Sequence, residues 1–299
     1  MRSMHLVVAG SSGFLGSHLV NRLRERGHEI TRLVRREPTT PDESRWQPDT
    51  GMIDADVVAT ADVVINVAGS STVGNPHSGA WARRLRQSRV DTTRLLAETI
   101  GTTGGRAAFL AGNGISYYGD HGDDVVTEES GSRGAALLTS VCQDWQAATG
   151  PAAVAGARVC VLRTAPVMDR RSAPLKQLRL LFRLGLGARL GDGRQYMPMI
   201  SLRDWVGAVV HLAEHEDASG PVNLVCPQPP TNREFTEVLA RALGRPTLLV
   251  APSAAISLAS GRMGPELLGS MNARPGVLLA RGYEFSDPDV SAVVAAGLG

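Results

Sequence analysis

The sequence predicts an α/β fold: a doubly wound parallel sheet of the Rossmann type with a smaller, mostly C-terminal lobe. Three observations carry that expectation. An apolar run, Leu6-Val7-Val8-Ala9, ends in glycines at 10, 13 and 16, and a helix-like pattern begins at once. Apolar runs then alternate with amphipathic stretches, as in successive strand–helix units. Near residue 165 the alternation breaks, and glycines and proline pairs punctuate the rest of the chain.

Taken in order, residues 4–10 read as a buried parallel strand and 14–26 as the first helix, which Gly27 ends. Residues 29–34 form the second strand. Residues 37–52, rich in Pro, Asp and Thr, read as a loop. Asp-Val-Val-Ile-Asn-Val-Ala at 62–68 is another buried strand, 81–100 a long amphipathic helix and 107–111 a strand. Residues 119–134 read as an exposed loop, 135–148 as a helix and 158–163 as a strand. A helix at 175–184 precedes the glycine-punctuated run 185–195. Residues 204–213 and 222–225 then supply a helix and a strand that return to the main sheet. Helices near 232–243 and 254–260 belong to the lobe. The expected division is a nucleotide domain of 1–170 plus 204–226, and a lobe of 171–203 plus 227–299.

With 299 residues the chain can bury a large core. A net charge of +2 gives no reason to expect nucleic acid or an acidic membrane as partner. Three scattered cysteines, Cys142, Cys160 and Cys226, make neither a disulfide framework nor a zinc site, and fit a reducing, cytoplasmic compartment. No apolar run reaches the length of a membrane span.

The glycine turn is where chemistry enters. Gly10 allows the tight turn, Gly13 lets a pyrophosphate approach the backbone, and Gly16 lets helix and strand pack closely. Ser12, Phe14 and Leu15 lie on the same turn, whose first helical N–H groups point at the phosphates. Beyond the second strand stand Arg35 and Arg36, where NAD-binding folds carry an acidic residue for the ribose. A guanidinium suits a 2′-phosphate, so NADP(H) is the expected cofactor; two solvated arginines are the plainer alternative. Val67-Ala68-Gly69 closes a strand at the same edge, leaving room for the cofactor against the backbone or simply making a packing turn. His211-Leu-Ala-Glu214-His215 spells a zinc-peptidase motif, but no third ligand is evident and no metal is expected.

Several motifs together resemble an extended short-chain dehydrogenase/reductase. They are Gly-Ser-Ser-Gly-Phe-Leu-Gly at 10–16, Asn-Val-Ala-Gly at 66–69, Ser-Arg-Val-x-x-Thr at 88–93 and Tyr-Tyr-Gly at 117–119. Further along come Thr-Glu-Glu-Ser at 127–130, Gly-Asp-Gly-Arg-Gln at 191–195, Thr-Asn-x-Glu-Phe at 231–235 and Leu-Gly-Arg-Pro at 243–246. The narrower likeness is to the atypical "epimerase family" branch, similar to sugar-nucleotide epimerases and bearing a small C-terminal domain of unassigned role. It implies the fold and the cofactor, and Arg89 reaching toward that cofactor. It also places Asn113 where the catalytic serine would stand, Leu138 at the tyrosine and Cys142 at the lysine. The chain holds a single lysine, Lys176, with Ser172 four residues before it, so no Tyr-x-x-x-Lys exists.

The usual acid is therefore missing. Tyr117, Tyr118 and His121 are the candidate proton donors, with Asn113 able to hold a water. Arg163, Arg194 and Gln195 are expected to border a pocket for a small anionic substrate, a sugar nucleotide among the candidates. Interlobe ion pairs involving Asp192 and Asp204 are the alternative for the arginines. The resemblance further implies a homodimer paired through helices like 81–100 and 135–148. Two functions compete: an NADP(H)-dependent oxidoreductase or epimerase-like enzyme, and an NADP(H)-binding sensor or scaffold without turnover.

Overall fold

The computed structural model describes residues 2–247 and 249–299. Eight strands make the main sheet: β1 (His5–Ala9), β2 (Glu29–Val34), β3 (Glu43–Gln47), β4 (Met52–Ile53), β5 (Val63–Asn66), β6 (Ala108–Gly114), β7 (Val159–Thr164) and β8 (Gly220–Leu224). Their order is β8-β7-β6-β5-β1-β2-β3-β4, and every pair is parallel except β3 with β4. Winding starts at β1 and runs outward both ways. The switch point between β1 and β5 opens a crevice at the carboxyl ends of the strands, where open α/β sheets take ligands.

Alternation along β1 shows how both faces are filled. Leu6 and Val8 pack with Leu19, Leu23, Trp205 and Val209, which come from helices α1 (Phe14–Glu25) and Leu202–Glu214. Val7 and Ala9 face the other way, with Val64 and Phe109, against Leu96, Ala97 and Ile100 of helix α2 (Gly79–Thr102). Helix α3 (Leu137–Ala147) lies on that second face.

Two stretches differ from the sequence-based expectation. Residues 37–52 hold β3, a short 3-10 turn and β4. Only Trp46 is large and apolar in Glu-Ser-Arg-Trp-Gln, and it is 1% exposed in the core. A strand near a sheet edge needs little apolar patterning, so composition hides it. Residues 119–134 are not simply exposed. Val125–Val126 pairs in parallel with Asn272–Ala273 of the C-terminal lobe, and Val126 is fully buried.

The lobe has its own core, with Leu175, Phe182, Phe235, Leu239 and Val293 packed together. Buried polar groups weld it to the sheet. Asp204 is fully buried and accepts from the Ser286 N–H at 2.9 Å, the Asp287 N–H at 2.8 Å and the Tyr283 hydroxyl at 3.2 Å. The neighbouring Arg203 pairs with Asp287 at 2.5 Å. The alternative of interlobe ion pairs at Asp204 thus takes another form: Asp204 holds a turn through N–H and O–H donors, and Asp287 takes the arginine. No helix among the described residues is long and apolar enough to cross a membrane.

Candidate functional site

The site begins at the end of β1. Gly10 has φ +83, and a Cβ there would lie 2.7 Å from the Ala68 nitrogen. At Gly16 a Cβ would lie 2.1 Å from the Gly10 carbonyl oxygen. Only glycines let turn 10–16 press on both α1 and the β5 turn. Gly13 is the N-cap of α1, which has no side-chain cap and no acidic residue in its first turn. Ser12 is exposed, while Phe14 and Leu15 are half-buried at the same turn. The unsatisfied amides and the positive end of the helix dipole thus face outward at the crevice.

The β5 turn is fixed from within. Asn66 is fully buried; its Oδ1 accepts from the Ala68 N–H at 3.0 Å and its Nδ2 donates to Thr93 Oγ1 at 2.9 Å. The turn at Val67, Ala68 and Gly69 is therefore held rigidly against Gly10. Arg89 comes over Gly69 from α2. Its guanidinium donates to the Leu85 and Ser70 carbonyls and lies 5.3 Å from the Trp145 ring centre. A Cβ at Gly69 would meet its Cζ at 3.3 Å.

At the far side of β2 the two arginines differ. Arg36 grips Glu43 with both nitrogens, at 2.8 and 2.6 Å, while Arg35 is exposed and has no hydrogen bond or ion pair among the described residues. Glu43, from β3, is buried, also accepts from Thr39 and is ion-paired with Arg32. The Arg36 guanidinium and the Thr39 donors hold its carboxyl down at about 2. Sequence reading missed this carboxylate, because nothing in residues 37–52 signalled a strand that would carry it to the end of β2.

Around the end of β6 the structure gathers Asn113, Tyr117, Tyr118 and His121, and most of their polar atoms are occupied. Asn113 is 3% exposed, donates to the Cys142 carbonyl at 3.1 Å and accepts from the Gly114 N–H. Tyr118 is fully buried; its hydroxyl donates to Asn223 at 2.8 Å and accepts from Arg163 at 2.7 Å. Burial pushes that phenol upward. Arg163 is 2% exposed, bonded to Gln146 and stacked 3.6 Å from the Tyr117 ring centre. His121 packs edge-on to Tyr118, with Nε2 3.2 Å from the Gly131 carbonyl. Tyr117 is half-buried and lines a groove of about 540 Å³ with Gln143, Gln146, Val161 and Pro221, beside the edge strand β8.

On the lobe side, the run 191–195 is tied to the start of helix Asn232–Ala242: the Asn232 N–H donates to the Gln195 carbonyl at 2.8 Å. The Gln195 side chain donates to the Leu190 carbonyl. Arg194 is exposed, with its backbone N–H on Asp192. Cys142 is buried and its thiol is pushed up to about 12 by desolvation, so it stays protonated at neutral pH. The His211 and His215 rings stack at 4.1 Å, while Glu214 is taken by Arg26 and His28.

Comparison with known proteins agrees with the fold. The model of the "NAD dependent epimerase/dehydratase family" matches residues 6–225, and a "domain of unknown function (DUF1731)" matches residues 251–296. The chain is 40% identical over 285 residues to the epimerase family protein ML0860 of Mycobacterium leprae, covering 95% of this chain and 92% of that one. The crystal structure of human epimerase family protein SDR39U1 with NADPH is 29% identical, with TM-score 0.85, covering 98% of this chain and 99% of that one. A nucleoside-diphosphate sugar epimerase of Corynebacterium glutamicum is 31% identical, with TM-score 0.79; the match covers 99% of this chain and 58% of that longer one. This chain belongs to the NAD dependent epimerase/dehydratase family.

Proposed function

We propose that this chain binds NADP(H) and uses it in hydride chemistry on a small anionic molecule of the nucleoside-diphosphate sugar class. The observation that carries the reading is the pairing of an open, uncapped α1 terminus behind Gly10 with an exposed Arg35 beyond β2 that has no partner among the described residues. Gly10, Ser12, Gly13, Phe14, Leu15 and Gly16 would hold the pyrophosphate side, with Val67, Ala68, Gly69 and Arg89 across the crevice. Bound there, the coenzyme supplies hydride exchange at its nicotinamide ring.

Arg35 is the stronger candidate for the 2′-phosphate. Both nitrogens of Arg36 already meet Glu43, so its role is to hold the segment and add field. The donors around Glu43 leave it a poor acceptor for a bare ribose. The human relative solved with NADPH supports the same choice.

For the substrate, Arg194 is the arginine with an open side, and Gln195 sets the loop that carries it. Arg163, buried under two tyrosines, acts through the shape of the β6–β7 region. Tyr118 and Asn113 serve likewise as packed, hydrogen-bonded supports, and Tyr117 and His121 stay as the more reachable of the proton donors named from sequence. The sugar-nucleotide class is supported by the Corynebacterium relative's description. Burial of all three free cysteines fits a cytoplasmic chain, and a homodimer through α2 and α3 belongs to the same reading.

A second reading, a coenzyme-binding sensor without turnover, is favoured by one observation: an inert thiol at Cys142 and a leucine at 138 stand where a proton-transfer pair is expected. Incubating the protein with NADPH and a panel of keto derivatives of UDP-sugars, which can accept hydride, separates the two. Turnover bleaches the reduced nicotinamide absorbance, and a sensor leaves it constant across the panel while still binding NADPH.

A further inference from the structure

The helix Ala173–Arg183 turns Leu175, Leu178 and Phe182 toward the core of the lobe. At about 3.6 residues per turn, its opposite side holds Leu180 and the C-cap residue Leu184, with Leu181 next to them. A surface helix ordinarily keeps polar residues there. Here Leu180 is 59% exposed and Leu184 64%, and Leu181 is exposed beside them. The chain then folds back: the Leu186 N–H donates to the Leu181 carbonyl at 2.9 Å, and Leu186 itself is 56% exposed. Two residues on, the strand Ala188–Leu190 pairs in parallel with Leu249–Ala251, which sets Leu249 beside Ala188 and Val250 beside Arg189. Leu249 and Val250 are exposed as well. Six large apolar side chains thus follow one connected run of helix end, turn and two-stranded ribbon. Scattered single leucines on a surface mean little; a contiguous group marks an interaction site.

The charge around this run has one sign. Residues 170–191 hold six basic residues and no acidic one, and residues 238–265 hold three and none. Lys176, Arg179, Arg183 and Arg189 make no ion pair among the described residues, and Lys176 and Arg183 are exposed. Arg179 and Arg189 are half-buried, each with an Nε that has no hydrogen-bond partner among the described residues. The balanced net charge of +2 conceals this face, because the acids lie elsewhere in the chain.

The occupant must be anionic and must accept protruding apolar side chains. A second copy of the chain fails the first condition: a two-fold pair sets like against like, basic against basic. A folded protein fits the second poorly, since these leucines stand out from the surface and no exposed aromatic residue, the usual anchor of a protein interface, lies in 173–191 or 249–251. A bilayer needs no matching shape. It takes leucines into its headgroup boundary and pairs surrounding lysines and arginines with lipid phosphates.

We propose that this face of the lobe docks on an anionic lipid membrane, with Leu180, Leu184 and Leu186 among the headgroups and Lys176, Arg183 and Arg189 on their phosphates. The contact lies on the bilayer and does not cross it. It is separate from the coenzyme crevice and does not depend on the proposed function.

The test is flotation of the full chain with phosphatidylcholine vesicles, with and without phosphatidylglycerol. Binding should be at least about tenfold tighter when phosphatidylglycerol is present, and should fall steeply as salt is raised. Leu180→Ser combined with Leu184→Ser should weaken it about tenfold at an unchanged melting temperature, since both positions are exposed. If that pair does not fold, Leu186→Ser takes its place, with a loss of about threefold. Lys176→Glu combined with Arg183→Glu should weaken binding at least as much as the leucine pair. No flotation with phosphatidylglycerol vesicles overturns the proposal, and so does equal flotation with phosphatidylcholine alone. Binding that the leucine substitutions leave intact is electrostatic adhesion only and also overturns it. A dimer in sedimentation velocity that the leucine substitutions dissolve assigns the face to a second copy, and capture by poly-glutamate as tight as by the vesicles assigns it to an acidic protein; either result overturns the membrane.

Discussion

Two helices end at the same edge of the sheet and are finished in opposite ways. The start of α1 has no side-chain cap and no acid in its first turn. The start of α3 also lacks a cap of its own, yet receives Glu266 from a lobe 128 residues further along the chain, reaching Leu138. Both termini offer unpaired amides and a positive dipole end. The chain fills one with its own carboxylate and keeps the other open to an anion. An open end is where a diphosphate fits; a filled end ties the C-terminal lobe to the Rossmann sheet.

The sharpest way to break the open end is Gly16→Ala. The new methyl would meet the Gly10 carbonyl at 2.1 Å, so helix and strand must separate. We expect a loss of about 3 kcal/mol in stability, as for severe overpacking, together with loss of NADPH binding. Thermal unfolding with and without NADPH reads both.

The next effect in size concerns the far arm of the same site. Arg35→Ala should weaken NADPH about tenfold to a hundredfold, the value of one charge-assisted pair, and leave NADH unchanged. Arg36→Ala should do less to the coenzyme, because that guanidinium is already paired with Glu43. Equal losses in the two variants would show that the Glu43 pair opens to admit the phosphate.

At the filled end, Glu266→Ala removes a cap and should cost about 1 kcal/mol, whereas Glu266→Gln should cost less because an acceptor remains. Denaturant midpoints at constant slope compare the two.

The smallest effect is on acid stability. Glu43 has its folded carboxyl at about 2 against an ordinary 4.5. The folded state therefore binds the proton more weakly than the unfolded one. Its contribution is complete above pH 4.5 and is lost as the pH falls from there toward 2. Glu43→Gln should flatten that limb of a pH–melting profile. Glu266 has the opposite sign: its folded carboxyl is raised, so stability is lost as pH rises through the folded value. The same profile measured on Glu266→Gln should lack that decline.

The open end was legible in the sequence, because Gly10, Gly13 and Gly16 sit at fixed local spacing behind an apolar run. The central strands were legible for a similar reason: a strand buried on both faces is apolar at every position, as Val63–Asn66 is almost throughout. The strand Glu43–Gln47 was not, since it is mostly polar and its one buried carboxylate, Glu43, pairs sideways with Arg32 and Arg36 rather than joining an apolar pattern. Nor was the filled end. Glu266 sits in Gly-Pro-Glu-Leu-Leu, a string with no motif, and its role exists only because the lobe folds back onto α3. The buried Asp204 and the half-buried Glu128 share that property; Glu128, for instance, joins the Asn223 and Val277 amides. The turn proposed to receive a coenzyme is local in sequence. The groups that seal the two lobes together are not.

The central claim is that the open end of α1, with Arg35 beyond β2, is built for a coenzyme carrying a 2′-phosphate. Titrating the purified chain with NADPH and with NADH, read by nicotinamide fluorescence, tests it directly. The account predicts saturable binding of NADPH at least about tenfold tighter than NADH. Equal affinities, or no binding of either, would contradict it.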